Sequence, residues 1–413
     1  MKQDQSKLQE VISAVKEQLL EAGYATVLEV PSYQTTNCDL IAYASAPNGA
    51  AIGTAVEVLV GDELNMVLAA AKLDLARVQV GVEGGLLITG SKIFNLSSDG
   101  ATFVQVDEIP PVSADQSPIA SQKVITNIMW PIAQEFRGRI QPGEMSDKIL
   151  DLVSAEDGVV SLPNSGLRLD GQAFRQFLTR KASLGKTHFV EGQASADVQE
   201  LFATLAKLFP STKSIFDPFF GAGLATYAAV DALRSFSGVS KVSGFEINPA
   251  VKEKADKLRK TVQGLIQCEI QLGTAITQDW DEADLLITEP PLGLRLNQPI
   301  SIESVLVRDV ETFTILKSAM AVHSGLVGGA AIILTSRGWL SRERDQPLRD
   351  KLLELGLVRA IIGLPNLKSN TSMSLAAIVL AKGDSQVVFG ELFEDWREQL
   401  NGDAGGLYEL LKF

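Results

Sequence analysis

Apolar residues at Leu8, Val11, Ile12, Val15, Leu19 and Leu20 recur at helical spacing and predict an amphipathic helix over 7–22. Short apolar runs follow at 25–30, 40–44, 54–60, 85–89 and 102–106, with the turn-forming dipeptides Asn48-Gly49 and Asp99-Gly100 between them. This opening stretch reads as a small α/β domain over residues 1–115. A Pro/Ser-rich link spans 110–118, and a partly helical region extends over 116–192, punctuated by Pro142-Gly143 and Pro163-Asn164-Ser165-Gly166. From 193 to 383 the pattern changes. Short strand-like segments at 214–216, 241–246, 267–272, 285–288, 330–335, 360–363 and 376–381 alternate with helical stretches at 223–234, 249–265, 304–324 and 344–355. That alternation is the mark of a parallel sheet covered on both faces by helices. The last stretch, 384–413, is a short acidic extension.

Composition narrows the class. The chain has 413 residues, too many for one ordinary core, so two or three domains are expected. No run of 18 apolar residues occurs, and the amino terminus has no apolar signal region, which argues against membrane insertion and export. Two widely separated cysteines, Cys38 and Cys268, and two histidines form no metal-ligand cluster, so no metal is expected and a reduced, cytoplasmic setting fits. A net charge of −13 argues against a protein that grips nucleic acid over its whole surface. Two local stretches are basic: Arg168, Arg175, Arg180, Lys181 and Lys186, and then Arg337, Arg342, Arg344, Arg349, Lys351 and Arg359. They suit a limited nucleic-acid contact or ordinary helix surfaces.

A doubly wound sheet binds its ligand at the carboxyl ends of its strands, and three groups of residues fall there. The first is Asp217-Pro218-Phe219-Phe220-Gly221-Ala222-Gly223, a strand-to-helix turn in which Gly221 and Gly223 let a ligand approach the backbone. Asp217 could accept from the amino group of an amino-acid moiety, or simply cap the turn. The second is Glu246, where such sheets hold ribose hydroxyls; alone it could equally be a surface acid or helix cap. The third is Glu289-Pro290-Pro291-Leu292, where two prolines fix the direction of the preceding carbonyls. Those carbonyls suit an amino group to be methylated, or the segment is a rigid turn.

Taken together, these motifs resemble the N6-adenine DNA methylase family, and within it the modification subunit of type I restriction systems. The resemblance covers about 190–383, including Ala331 to Leu340 and Val358 to Pro365. It implies a Rossmann-like S-adenosylmethionine-dependent methyltransferase domain, with the cofactor at Asp217, Phe219, Gly221, Gly223 and Glu246 and a flipped adenine at Glu289, Pro290, Pro291 and Leu292. The implied partners are DNA and a specificity or other restriction subunit. After Gly383 too few residues remain for target recognition, so specificity is expected from a partner or from the first 190 residues; the oligomeric state is open.

Several positions depart from the family pattern. Where the family writes Asn or Asp before Pro-Pro and Tyr or Phe after it, this chain has Glu289 and Leu292; Leu292 cannot stack on a base. Thr274 replaces an expected Asp, and Gly192-Gln193 to Asp197 keeps only the start of another motif. These departures imply weak or partner-dependent catalysis, or an inactive pseudo-methyltransferase serving as a DNA-binding or assembly scaffold; methylation of RNA or of a protein glutamine is a further alternative. More weakly, 1–110 resembles the restriction-endonuclease-like fold, with Asp39 and Glu57 in place but Leu59 where a lysine is normal. That implies a degenerate nuclease.

Overall fold

The computed structural model describes residues 2–30, 38–46, 50–59, 66–90, 92–112, 117–136, 139–140, 144–162, 167–179, 194–236, 238–264, 266–367, 373–383 and 387–401. Asn48-Gly49, Pro142-Gly143, Pro163 to Gly166, Arg180, Lys181, Lys186 and Gly192-Gln193 lie outside these. The chain divides into two compact units, Met1–Ala182 and Ser183–Phe413. Among the described residues no helix is long and apolar enough to cross a membrane.

In the first unit α1 (Lys2–Glu21) precedes β1 (Thr26–Glu29), β2 (Leu40–Ser45) and β3 (Ala51–Leu59); α2 (Met66–Val80) then leads to β4 (Gly84–Thr89), β5 (Lys92–Leu96) and β6 (Phe103–Val106). These strands form one sheet in sequential order. Every pairing is antiparallel except β3 with β4, and that pair is the one joined by a helix, as a parallel crossover demands. The apolar stripe of α1, Ile12, Val15 and Leu19, packs with Leu40, Ala42, Val56, Val58, Leu86 and Ile88 into one core. The rest of the unit comprises α3 (Gln122–Phe136), α4 (Met145–Leu152), a small sheet of β7 (Ser154–Glu156), β8 (Val159–Ser161) and β9 (Arg168–Asp170), and α5 (Gly171–Phe177).

The second unit opens with α6 (Ala196–Ala206), whose N-cap Ser195 accepts from Val198 N. Alternating elements follow: β10 (Ser214–Asp217), α7 (Leu224–Leu233), β11 (Lys241–Glu246), α8 (Pro249–Arg259), β12 (Gln267–Leu272) and β13 (Ala283–Thr288). The hairpin β14 (Arg295–Ile302) and β15 (Val305–Asp309) comes next, then α9 (Val310–Ser324), β16 (Val327–Ser336), α10 (Gly338–Ser341) and α11 (Gln346–Leu355). The chain closes on β17 (Val358–Leu364), β18 (Leu375–Ala381), β19 (Val388–Glu391) and α12 (Trp396–Asn401).

Eight strands form one sheet in the order β12-β11-β10-β13-β16-β18-β17-β19. β12 through β16 are mutually parallel, and β18 runs antiparallel to both neighbours. The unit is therefore Rossmann-like. From β10 the chain proceeds outward to β11 and β12, then returns to start β13 on the other side of β10. The order reverses between β10 and β13, the kind of switch point at whose carboxyl edge doubly wound sheets bind their ligands.

Two differences from the sequence expectation stand out. The helix expected over 304–324 begins only at Val310, because Asp309 caps it (its Oδ1 accepts from Thr312 N at 2.9 Å) and Val305 to Val307 pair with β14 instead. The extension 384–413 supplies β19, which adds in parallel to β17. It also supplies Arg397, which pairs with Asp197 at 2.5 Å and Glu200 at 2.9 Å on α6.

Candidate functional site

Asp217 ends β10 and is only 3% exposed. Its Oδ1 accepts from Phe219 N at 3.0 Å and its Oδ2 from the Thr226 hydroxyl at 2.8 Å. The carboxylate therefore lies beneath the turn, holding the start of the loop to the first turns of α7. Burial pushes its pKa up to about 6; the bonds from Thr226 and Phe219 pull it back only partly, and Glu246 adds to the rise. The Thr288 hydroxyl, at the end of adjacent β13, also acts to lower it, although Thr288 Oγ1 makes no hydrogen bond of ordinary geometry.

Two glycines make this turn possible. Gly223 caps α7 with φ +76°, in the left-handed region that non-glycine residues avoid. Gly244 faces Asp217 across the β10–β11 pair, and a Cβ there would lie 2.2 Å from the Asp217 carbonyl oxygen and 2.8 Å from the Phe220 ring. Phe220 is buried below the loop against Tyr227, with ring centroids 5.7 Å apart and planes at 77°. Phe219 packs at the edge of the main core. Gly221 also has positive φ, 55°.

Glu246 ends β11, the strand beside β10. Its Oε1 accepts from Asn248 N at 2.6 Å, which aims the carboxylate across the start of α8. The sequence had not singled out its neighbours. Ile247, the next residue, is 72% exposed, and Leu272, opposite Glu246 in register on β12, is 55% exposed. An acceptor flanked by two exposed aliphatic side chains suits a nucleoside, with hydroxyls for the carboxylate and an apolar ring for the aliphatics. Thr274 stands just past β12, and its hydroxyl accepts from Ile276 N at 3.3 Å, closing its own turn.

The third group follows β13, on the opposite side of β10. Glu289 is half-buried, Pro290 buried, Pro291 exposed and Leu292 half-buried. Gly293, with φ +70°, turns the chain into the hairpin. The segment is anchored from α9, where Val310 N donates to Leu294 O at 2.9 Å and Glu311 Oε2 accepts from Gly293 N at 3.0 Å. Glu311 is a buried acid in the first turn of α9 that the pattern reading did not single out. The structure thus gathers the expected residues at the ends of β10, β11 and β13, which are neighbours in the sheet.

In the first unit, Asp39 stands just before β2, and Glu57 lies in β3, the strand that pairs with β2. Asp39 Oδ2 accepts from Val58 N at 2.7 Å, and burial raises its pKa. Burial raises Glu57 as well, opposed by Lys72 of α2 and reinforced by Asp39; Glu57 Oε2 is buried without a hydrogen bond. Lys72 is a cation near this pair that the motif reading, fixed on Leu59, did not consider. Among the described residues no cluster of three or more His, Cys, Asp or Glu could hold a metal ion.

No protein-family model matches the chain, and no curated protein matches it. Solved structures with a similar fold include the type I restriction-modification methyltransferase subunit from Streptococcus thermophilus, at 20% identity and a TM-score of 0.44, covering 54% of this chain and 51% of that one. A putative class I S-adenosylmethionine-dependent methyltransferase from Listeria monocytogenes is similar at 12% identity and a TM-score of 0.43, covering 66% of this chain and 80% of that one. The type IIG restriction endonuclease BpuSI aligns over 92% of this chain and 57% of its own, at 10% identity and a TM-score of 0.38. The chain spans about half the length of the Streptococcus subunit.

Proposed function

We propose that the Ser183–Phe413 unit is an S-adenosylmethionine-dependent methyltransferase domain acting on the N6 amino group of adenine in DNA. Its setting is a restriction or defence system, and its activity is weak or dependent on a partner subunit. One observation carries the reading: the glycine turn after β10, Glu246 and Glu289-Pro290-Pro291 occupy the ends of three adjoining strands at the sheet's switch point. A nucleoside-bearing cofactor fits the first two groups, because Glu246 can accept from ribose hydroxyls between Ile247 and Leu272, and Gly221 and Gly223, without side chains, let it approach the backbone of the turn beside Phe219. When bound, the cofactor supplies an electrophilic methyl group on a sulfonium.

The protein's own residues supply position and acceptors. Asp217 shapes the turn from below. Glu289 and the carbonyls held by Pro290 and Pro291 accept from an exocyclic amino group, leaving its nitrogen more nucleophilic, and Leu292 supplies an apolar contact to the base. No general base of unusual pKa is required. Calorimetry tests the pocket: Glu246→Ala and Asp217→Ala should each abolish micromolar-range cofactor binding, and unchanged affinity in both would overturn the assignment. A second reading, a scaffold that keeps the fold without catalysis, is favoured by Leu292, which cannot stack on a base, and by Thr274, which stands where an Asp is expected and whose hydroxyl accepts within its own turn. Tritium transfer to DNA separates the two.

A further inference from the structure

Glu311 is 2% exposed and sits in the first turn of α9. Its two carboxylate oxygens divide their partners. Oε2 accepts from Gly293 N at 3.0 Å, one residue beyond Leu292. Oε1 accepts from Ser336 N at 2.7 Å and from the Thr335 hydroxyl at 3.0 Å, at the carboxyl end of β16. β16 pairs in parallel with β13, Thr288 opposite Ile333, so the carboxylate spans from the strand beside β13 to the far end of the loop that β13 feeds. The near end of that loop is fixed by the strand and by the ring geometry of Pro290 and Pro291; its far end is fixed by Glu311 and by Val310 N on Leu294 O.

A buried carboxylate is costly unless its lone pairs are filled, and hydrogen bonds to a charged group are the strong ones. An apolar residue here would fill the space without these costs, so the acid's distinctive contribution is directional. We propose that Glu311 is a positioning residue for the Glu289–Leu292 loop, setting the direction of its acceptors without touching substrate. This inference rests on the methyltransferase reading.

Glu311→Gln is the sharper test, because one oxygen becomes an NH2 group and cannot accept from both Gly293 N and the β16 donors. The full chain is examined by amide hydrogen exchange, cofactor calorimetry and methyl transfer to DNA with partner subunits supplied. Exchange at Gly293 should accelerate about 10- to 100-fold, the ratio that loss of a hydrogen bond to a charged group produces, while amides of β10 and β11 hold their protection. Cofactor affinity should stay within about twofold. The transfer rate at saturating cofactor should fall by about 100-fold, as expected for a displacement of about 1 Å. If Glu311→Gln unfolds, the near-isosteric Thr335→Val removes one anchor and should accelerate Gly293 exchange by a smaller factor. Unchanged Gly293 exchange in a folded variant overturns the positioning role. A wild-type protein that transfers no methyl group, with Gly293 exchange still responding to the variant, overturns the methyltransferase reading instead.

Discussion

Replacing Asp217 by Asn isolates the energetics of the buried acid under the glycine turn. Its carboxyl titrates near 6 rather than at its ordinary 3.8, with burial as the main cause. Between those two values the folded state holds a proton that the unfolded state has released. Stability must therefore fall as pH rises through this window, and be regained on acidification. At about 1.4 kcal/mol per pH unit, the separation corresponds to about 3 kcal/mol, about three-quarters of it expressed between pH 4 and pH 6.5. Asn keeps an acceptor for Phe219 N and can donate to the Thr226 oxygen, but does not titrate. Chemical denaturation of wild type and Asp217→Asn from pH 4 to pH 7.5 should give a stability difference that moves by about 2–3 kcal/mol in favour of the variant as pH rises. Taking the difference cancels the other acids with raised pKa, Asp39 and Glu57 among them. A difference that is flat with pH, or that moves in favour of wild type, would refute the account of Asp217 as a carboxyl whose ionisation opposes folding.

Gly244→Ala places a methyl group 2.2 Å from the Asp217 carbonyl oxygen and should cost about 1–3 kcal/mol by overpacking, with cofactor affinity falling alongside; a variant with wild-type melting temperature would contradict the close approach of β10 and β11. Glu289→Asn combined with Leu292→Phe restores the acceptor length and the stacking ring usual in the resembling family. Base–aromatic stacking is worth about 1–3 kcal/mol, so tritium transfer to adenine should rise by up to about 100-fold. An inert double variant that still binds cofactor, assayed with partner subunits, would favour the scaffold reading.

The doubly wound unit was legible in the residues alone, as was the position of the candidate site residues at strand ends. Runs such as 285–287 and 376–381 are apolar on every residue, which only a strand buried on both faces requires, and most chemistry-bearing residues stand at or just past strand ends. Local chemistry sufficed there, because strand ends, proline pairs and glycine turns are properties of neighbours in the chain. The β14–β15 hairpin stayed hidden, since Arg295 to Ile302 lacks a clean alternation and acquires a partner only through Val305 to Asp309. Asp217 was legible as an acid closing a strand but not as a buried one. Its burial depends on Thr226 nine residues later and on β13 some seventy residues away. Glu311 and Lys72 carried no local signal at all, because each takes its role from atoms on other elements: Gly293, Thr335 and Ser336 for the first, Glu57 for the second. The addition of β19 to β17 is of the same kind. Periodicity reports how a segment meets water and core, whereas the partner of a buried charge or an edge strand is settled only when distant segments are brought together.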